Sequence, residues 1–160
     1  MPRPPQFLVV DGYPRASRDR FDAIGMRQAW KLYVDLVARH APAARVDVWL
    51  SSEPGHETPP DDASLRRYDG VLWTGCDLTA YHDDPRVHRH VRLCARAFDL
   101  GVPQFGSCWA LQIGALAAGG AVGPCPDGRE VGIGRRLALT DAGRAHPMFA
   151  GRAPVFDALV

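Results

Sequence analysis

Lysine is almost absent from this sequence: Lys31 stands alone among 19 basic residues, and the rest are arginine. Against 18 acidic side chains this leaves a net charge of +1, so neither a nucleic-acid backbone nor an anionic membrane surface has an electrostatic claim on the chain. Alongside abundant Ala, Pro and Gly, the excess of arginine is read as a coding bias rather than as phosphate binding. Long apolar runs are missing too. The opening stretch MPRPPQFLVVDGYP has an apolar core of only Phe7 to Val10, broken by Asp11 and Gly12, too short for a secretory signal or a membrane span. The four cysteines, Cys76, Cys94, Cys108 and Cys125, show no C-x-x-C spacing, so they are expected to be reduced thiols in a cytoplasmic protein. No repeat, low-complexity tract or Gly-rich phosphate cradle is present, and neither a metal nor an organic cofactor is expected.

What is present is an alternation of buried strands with helices. At 160 residues with 46% hydrophobic side chains, the chain is expected to form one domain with its own core. FLVV (Phe7 to Val10), RVDVWL (Arg45 to Leu50), GVLWTG (Gly70 to Gly75) and VPQF (Val102 to Phe105) read as strands. Asp19 to Arg39, Pro85 to Leu100 and Trp109 to about Ala118 read as helices, the first from Met26, Trp30, Tyr33, Val34 and Val37 at three- and four-residue steps. A polar loop spans Ser51 to Asp62, and Gly119-Gly120 closes the last helix. Further on, Pro124 to Glu130 reads as a turn between short strands, and HPMF as a turn or short helix between the strands RRLALT and VFDALV. This order predicts an α/β fold: a three-layer, mostly parallel open sheet with helices on both faces. Ligands bind such sheets at the carboxyl ends of the strands, where DGYP, TGCD and GSCW all fall.

GSCW is the most informative of the three. A cysteine at a tight strand-to-helix turn projects its thiol into the crevice on a constrained backbone. The helix beginning at Trp109 aims free amides and a positive dipole end at Cys108, which favours the thiolate. The Trp109 amide, and that of Gly75 or Cys76 in TGCD, could then donate to the oxyanion of an acyl intermediate. The competing reading is a buried thiol acting as a small hydrophobe. Cys94 is expected in the core and Cys125 in a turn.

Taken with its neighbours, FGSCWALQIGALAAGG resembles the nucleophile elbow of class I glutamine amidotransferases, whose pattern is G-x-C-x-G-x-Q. The segments DGYPRASRDRFDAIGM, YDGVLWTGCDLTAY, DDPRV, GREVGIGRRLALT and HPMFAGRAPVFDAL are similar, in the same order, to the stand-alone, GMP-synthase-like branch of that family. The resemblance implies a flavodoxin-like fold. It makes Cys108 the nucleophile toward a glutamine side-chain amide, places the oxyanion hole at Gly75, Cys76 and Trp109, and marks Gln112 as a substrate contact. Glutamine, or another γ-glutamyl small molecule, is the implied substrate, and ammonia the product. A separate ammonia-accepting synthetase is an implied partner, and self-association is a further expectation.

Three departures from the family pattern bear on activity. Ala110 stands where the family often has glycine, narrowing the space beside the nucleophile. Cys76 adds a thiol to the oxyanion loop, where it either packs or bonds reversibly to Cys108. The family's basic histidine and its acidic partner lie in an H-x-E or H-x-D element shortly after the FDAL strand, and the sequence runs only to Val160, so a domain lacking its C-terminal part is expected. None of the six histidines has a sequence claim to replace that base. His90 and Cys94, four apart, could form a metal pair, but with Arg86, Arg89 and Arg92 nearby a solvated polar face is expected. His146 is expected to be structural, His82 and His88 to surround DDPRV together with His90, and His40 and His56 to lie in helix-end and loop positions. The rival to the enzyme is an amidotransferase-like module that binds without catalysis, and a flavodoxin-like nucleotide or flavin binder is a third reading.

Overall fold

The computed structural model describes residues 3–126, 128 and 131–159. The chain divides into two compact units, Met1–Gly123 and Pro124–Val160. In the first, β1 (Gln6–Asp11), β2 (Arg45–Leu50), β3 (Gly70–Trp73) and β4 (Gln104–Gly106) form a parallel sheet in the order β2-β1-β3-β4. The registers run Val10 to Trp49 and Trp73, and Trp73 to Gly106. Leu8, Val9 and Val10 of the central β1 are all buried, as a continuous apolar run between two helical layers requires.

The helices of this unit are α1 (Arg15–Ala23), α2 (Ala29–His40), the single turn α3 (Asp62–Leu65), α4 (Pro85–Asp99) and α5 (Trp109–Ala117). The crossover from β1 to β2 runs one way along the sheet, and that from β3 to β4 the other way. Right-handed crossovers in opposite directions put their helices on opposite faces, giving the expected three layers. The order reverses between β1 and β3, so the crevice of the fold opens where their carboxyl ends part.

One helix expected across Asp19 to Arg39 is two. α1 ends at Gly25, which takes φ +69°, while the amides of Gly25 and Met26 bond back to Asp22 (3.1 Å) and Phe21 (2.8 Å). That pair of bonds is a Schellman cap, which a glycine in the left-handed region forms without Cβ strain. The same device ends α5, with Gly119 at φ +81° and Gly120 bonded to Ala115. At the start of α4, Pro85 occupies the first turn and the Asp84 carboxylate accepts the Arg86 amide at 2.8 Å.

The core corrects the expectation for His90. The buried stripe of α4 is Val87, His90, Leu93, Cys94 and Ala97, and His90 is completely inaccessible to solvent. Its ring meets the edges or faces of Trp49, Trp73 and Trp109 at centroid distances of 6.4, 6.1 and 5.8 Å. Both nitrogens are committed. The Trp109 indole Nε1–H donates to Nδ1 at 3.2 Å, so the neutral ring carries its proton on Nε2, which donates to Ser51 Oγ. Ser51 in turn donates to the Asp11 carbonyl at 2.9 Å. A polar ring in an apolar stripe is tolerable because this chain leaves it fully satisfied.

The β4–α5 corner is the other fixed point. A Cβ on Gly106 would lie 2.5 Å from Ala110 Cβ, 2.7 Å from the Trp73 carbonyl oxygen and 2.9 Å from Trp73 Cβ, so only glycine lets the first turn of α5 fold back onto β3.

In the second unit, β5 (Ile133–Ala138) and β6 (Val155–Leu159) pair antiparallel, with α6 (Asp141–Ala145) and a 3₁₀ turn, Pro147–Phe149, between them. Gly134 faces Ala158 and Leu137 faces Phe156, leaving one extra residue on β5. That bulge is relieved at Arg136, whose φ is +56° and whose amide donates to the Asp157 carboxylate at 2.8 Å. His146 caps the 3₁₀ turn, its Nδ1 accepting the Met148 amide at 3.2 Å, which is the structural role expected of it. The turn expected over Pro124 to Glu130 includes Asp127, Arg129 and Glu130, which lie outside the described residues.

Two expected outcomes follow from these packing constraints. Burial pushes the His90 pKa from 6.5 down to about 4, so the unfolded chain takes up its proton first as the pH falls. Stability from this group is full above pH 6.5 and is lost between 6.5 and about 4, by on the order of 3 kcal/mol. Asp11, whose carboxyl is raised by burial, acts in the opposite direction as it protonates. Urea midpoints measured against pH should fall across that window, and His90→Phe should be less stable at neutral pH but flatter below it. Separately, Gly106→Ala should cost about 2–4 kcal/mol in urea unfolding, and adding Ala110→Gly should restore only part of it because the Trp73 carbonyl remains in the way.

Candidate active site

Cys108 occupies the N-cap of α5 with φ 55° and ψ −98°, a left-handed backbone that few residues other than glycine adopt. Holding it there costs about 1–3 kcal/mol, which the surrounding corner must impose. The conformation follows from the sequence. Gly106 is drawn against Trp73 and Ala110, Trp109 is buried beneath on His90, and the residue between must turn outward. Cys108 is accordingly exposed, and its sulfur makes no hydrogen bond among the described residues. The thiol sealed in hydrocarbon is thereby excluded.

Trp73 and Gly106 are register partners, so Gly75 and Cys108 each lie two residues beyond one rung at the carboxyl ends of β3 and β4. The backbone amides of Gly75, Cys76 and Trp109 donate to no acceptor among the described residues, which leaves them open to a ligand oxygen. Gln112 lies one helical turn after Cys108, half-buried, and its side chain has no hydrogen-bond partner among the described residues. The structure thus brings Cys108, Trp109 and Gln112 together on one corner, with Gly75 and Cys76 on the neighbouring loop.

Cys76 differs in kind from Cys108. Its thiol donates to the Gly12 carbonyl at 3.2 Å and accepts the Leu78 amide at 3.3 Å. Burial, joined by the charges of Asp77 and Asp11, pushes it up to about 12, so it stays a thiol and packs. Cys94, buried on α4, is raised by burial to about 11. All four cysteines are free.

The loops around the corner are clamped by polar contacts that the sequence did not announce. Arg18, almost fully buried in α1, pairs with Glu53 after β2 and donates to the Tyr13 carbonyl. Asp77, after β3, accepts from Ser17 Oγ and from Arg20 at 3.2 Å. The spacing of Arg18 and Glu53 carries no signal of their meeting, because it depends on the β1–β2 crossover.

Two of the histidines on α4 are engaged away from this corner. Both nitrogens of His90 are used in the core, and His88 pairs with Asp83 at 3.2 Å. Among the described residues no group of three or more His, Cys, Asp or Glu side chains could hold a metal ion. A groove of about 520 Å³, lined among others by Tyr81, His82, His88, Arg92 and Leu116, does not include Cys108. No helix among the described residues is long and apolar enough to cross a membrane.

No family model matches the sequence. Over 155 residues it is 30% identical to a γ-glutamyl-L-1-hydroxyisopropylamide hydrolase of a Pseudomonas species, an alignment covering 95% of this chain and 52% of that protein. It is also 30% identical over 101 residues to γ-glutamyl peptidase 5 of Arabidopsis thaliana, covering 63% of this chain and 40% of the relative. The chain therefore spans about half the length, or less, of the curated relatives it matches. The crystal structure of a glutamine amidotransferase from Methylobacillus flagellatus superposes with a TM-score of 0.50 at 20% identity, over 82% of this chain and 45% of that one. The chain thus shares its fold with that amidotransferase structure, and the curated relatives that it matches in sequence carry the names of a γ-glutamyl amide hydrolase and a γ-glutamyl peptidase.

Proposed function

We propose that this chain carries the nucleophile of a cysteine amidohydrolase acting on the γ-glutamyl group of small amides. The observation that carries the proposal is Cys108 itself: an exposed, unpartnered thiol held on a left-handed backbone at the N-terminus of α5. The Cys108 sulfur adds to the γ-carbonyl carbon, and the carbonyl oxygen becomes an oxyanion facing the amides of Trp109 and Gly75. The C–N bond then breaks, the leaving nitrogen takes up the proton that the Cys108 thiol gave up, and a γ-glutamyl thioester remains. Water adds to the thioester carbon, and loss of the thiol gives the free acid and restores Cys108. Gln112, one turn along, is the group proposed to hold the glutamyl end.

Glutamine is the smallest γ-glutamyl amide, with ammonia as its leaving group, so release of ammonia and hydrolysis of a substituted γ-glutamyl amide share one acyl-enzyme. The names of the relatives favour the substituted amide. The GMP-synthase-like branch of the amidotransferases belongs to the glutamine form of the same proposal, and there the ammonia would pass to a separate synthetase.

Iodoacetamide at neutral pH should modify Cys108 faster than the exposed Cys125, with the half-buried Cys76 and the buried Cys94 lagging behind both, as mass mapping would resolve. Release of p-nitroaniline from γ-glutamyl-p-nitroanilide should fall on the order of 10³-fold or more in Cys108→Ser. Equal labelling of Cys108 and Cys125, together with equal release by the variant, would remove the nucleophile assignment.

A further inference from the structure

Of the three strand-end loops, DGYP alone has no part in the chemistry above, although it leaves β1 at the point where the strand order reverses. Its Tyr13 is held from four sides. The backbone amide donates to the Asp11 carboxylate at 2.9 Å, and the carbonyl accepts from the buried Arg18 guanidinium. The ring stands edge-on to Phe21 at a centroid distance of 5.0 Å, and Pro14 fixes the following turn as the N-cap of α1. What remains is the hydroxyl, which has no hydrogen-bond partner among the described residues. It faces Gly75 so closely that a Cβ there would lie 3.0 Å from the phenol oxygen.

Gly75 and Cys108 stand two residues beyond the shared Trp73–Gly106 rung, and Tyr13 stands three beyond Val10, the partner of Trp73 on the other side. Three adjacent strands thus deliver a phenol, a free amide and a thiol to one crevice. The loops are tied together by Ser17 and Arg20 on Asp77 and by Arg18 on Glu53, so the phenol is preorganised.

Resting on the assignment of Cys108 as nucleophile, we propose that Tyr13 is a further catalytic residue, whose hydroxyl donates a hydrogen bond to the substrate oxygen that becomes the oxyanion when Cys108 adds to the γ-glutamyl carbonyl. The donor joins the Gly75 and Trp109 amides from a third loop. Its protonation state suits the task. Burial, joined by the negative charges of Asp77 and Asp11 nearby, raises the phenol to about 12, so it keeps its proton at neutral pH. A neutral donor fixed in advance contributes to a developing anion without reorganising at the moment of reaction.

Two reactions of the same sulfur separate this role from any other. Acylation by γ-glutamyl-p-nitroanilide creates an oxyanion, whereas alkylation by iodoacetamide is a displacement at a saturated carbon and creates none. Tyr13→Phe keeps the ring against Phe21 and removes only the hydroxyl. The expected result is a fall in the saturating acylation rate on the order of 10²-fold, with KM and the alkylation rate of Cys108 unchanged. Acylation at the wild-type rate, or a change in KM alone, would overturn the oxyanion role and leave the nucleophile standing. A parallel fall in acylation and alkylation would overturn it as well, since it would show that Tyr13 acts on the sulfur or on the fold. If the wild-type chain and Cys108→Ser release p-nitroaniline equally, the nucleophile assignment fails first and this proposal falls with it.

Discussion

The corner between β4 and α5 depends on the absence of one carbon atom. Gly106 lies where any Cβ would collide with a carbonyl of the neighbouring strand and with the first turn of the helix. Close approach there brings the start of α5 under the sheet edge, buries Trp109, and forces the intervening Cys108 into the left-handed region. Ala110 tightens the same contact. Its methyl group stands 2.5 Å from where a Cβ on Gly106 would lie, so the turn is made with little clearance. Shape therefore fixes the thiol's exposure before any electrostatic effect is considered.

Beneath the corner, a short chain of hydrogen bonds does the positioning that a purely apolar core could not. Three indoles surround His90, and the ring joins the indole of Trp109 to Ser51 and so to the carbonyl of Asp11. The helix that Cys108 caps is thereby linked to the end of β1, where the DGYP loop departs. A histidine in this position is of no use as a base, because neither nitrogen is open and the ring is unreachable by water. Its contribution is to hold Trp109, and with it the amide next to Cys108, in one orientation.

Much of this was legible in the residues. Strand β2 has the bounds that RVDVWL suggested, α4 begins at Pro85, and the G-x-C at a strand–helix joint foretold the turn. The readings that failed did so for identifiable reasons. Helical spacing from Met26 to Val37 was strong enough to hide Gly25, whose left-handed cap divides that segment in two. On α4 the three arginines drew attention to a solvated face, while the period of Val87, His90, Cys94 and Ala97 was the true mark of the buried one. The clamps Arg18–Glu53 and Ser17–Asp77 join residues 35 and 60 positions apart, and such pairs exist only once the crossovers are closed. The fixed phenol of Tyr13 was invisible for the same reason.

Every ladder of the four-stranded sheet is parallel, so no two of its neighbours can zip together from a tight turn. Each must wait for a long connection to close, which makes assembly slow relative to hairpin-built sheets. Among the described residues, β4 has three residues and one neighbour, β3, which it reaches only through the long connection that carries α4. The strained backbone at Cys108 consequently depends on a long-range pairing. Until β4 is seated against β3, Cys108 is free of the turn that the Gly106 corner imposes, so its strained geometry belongs to the assembled sheet and not to the local segment.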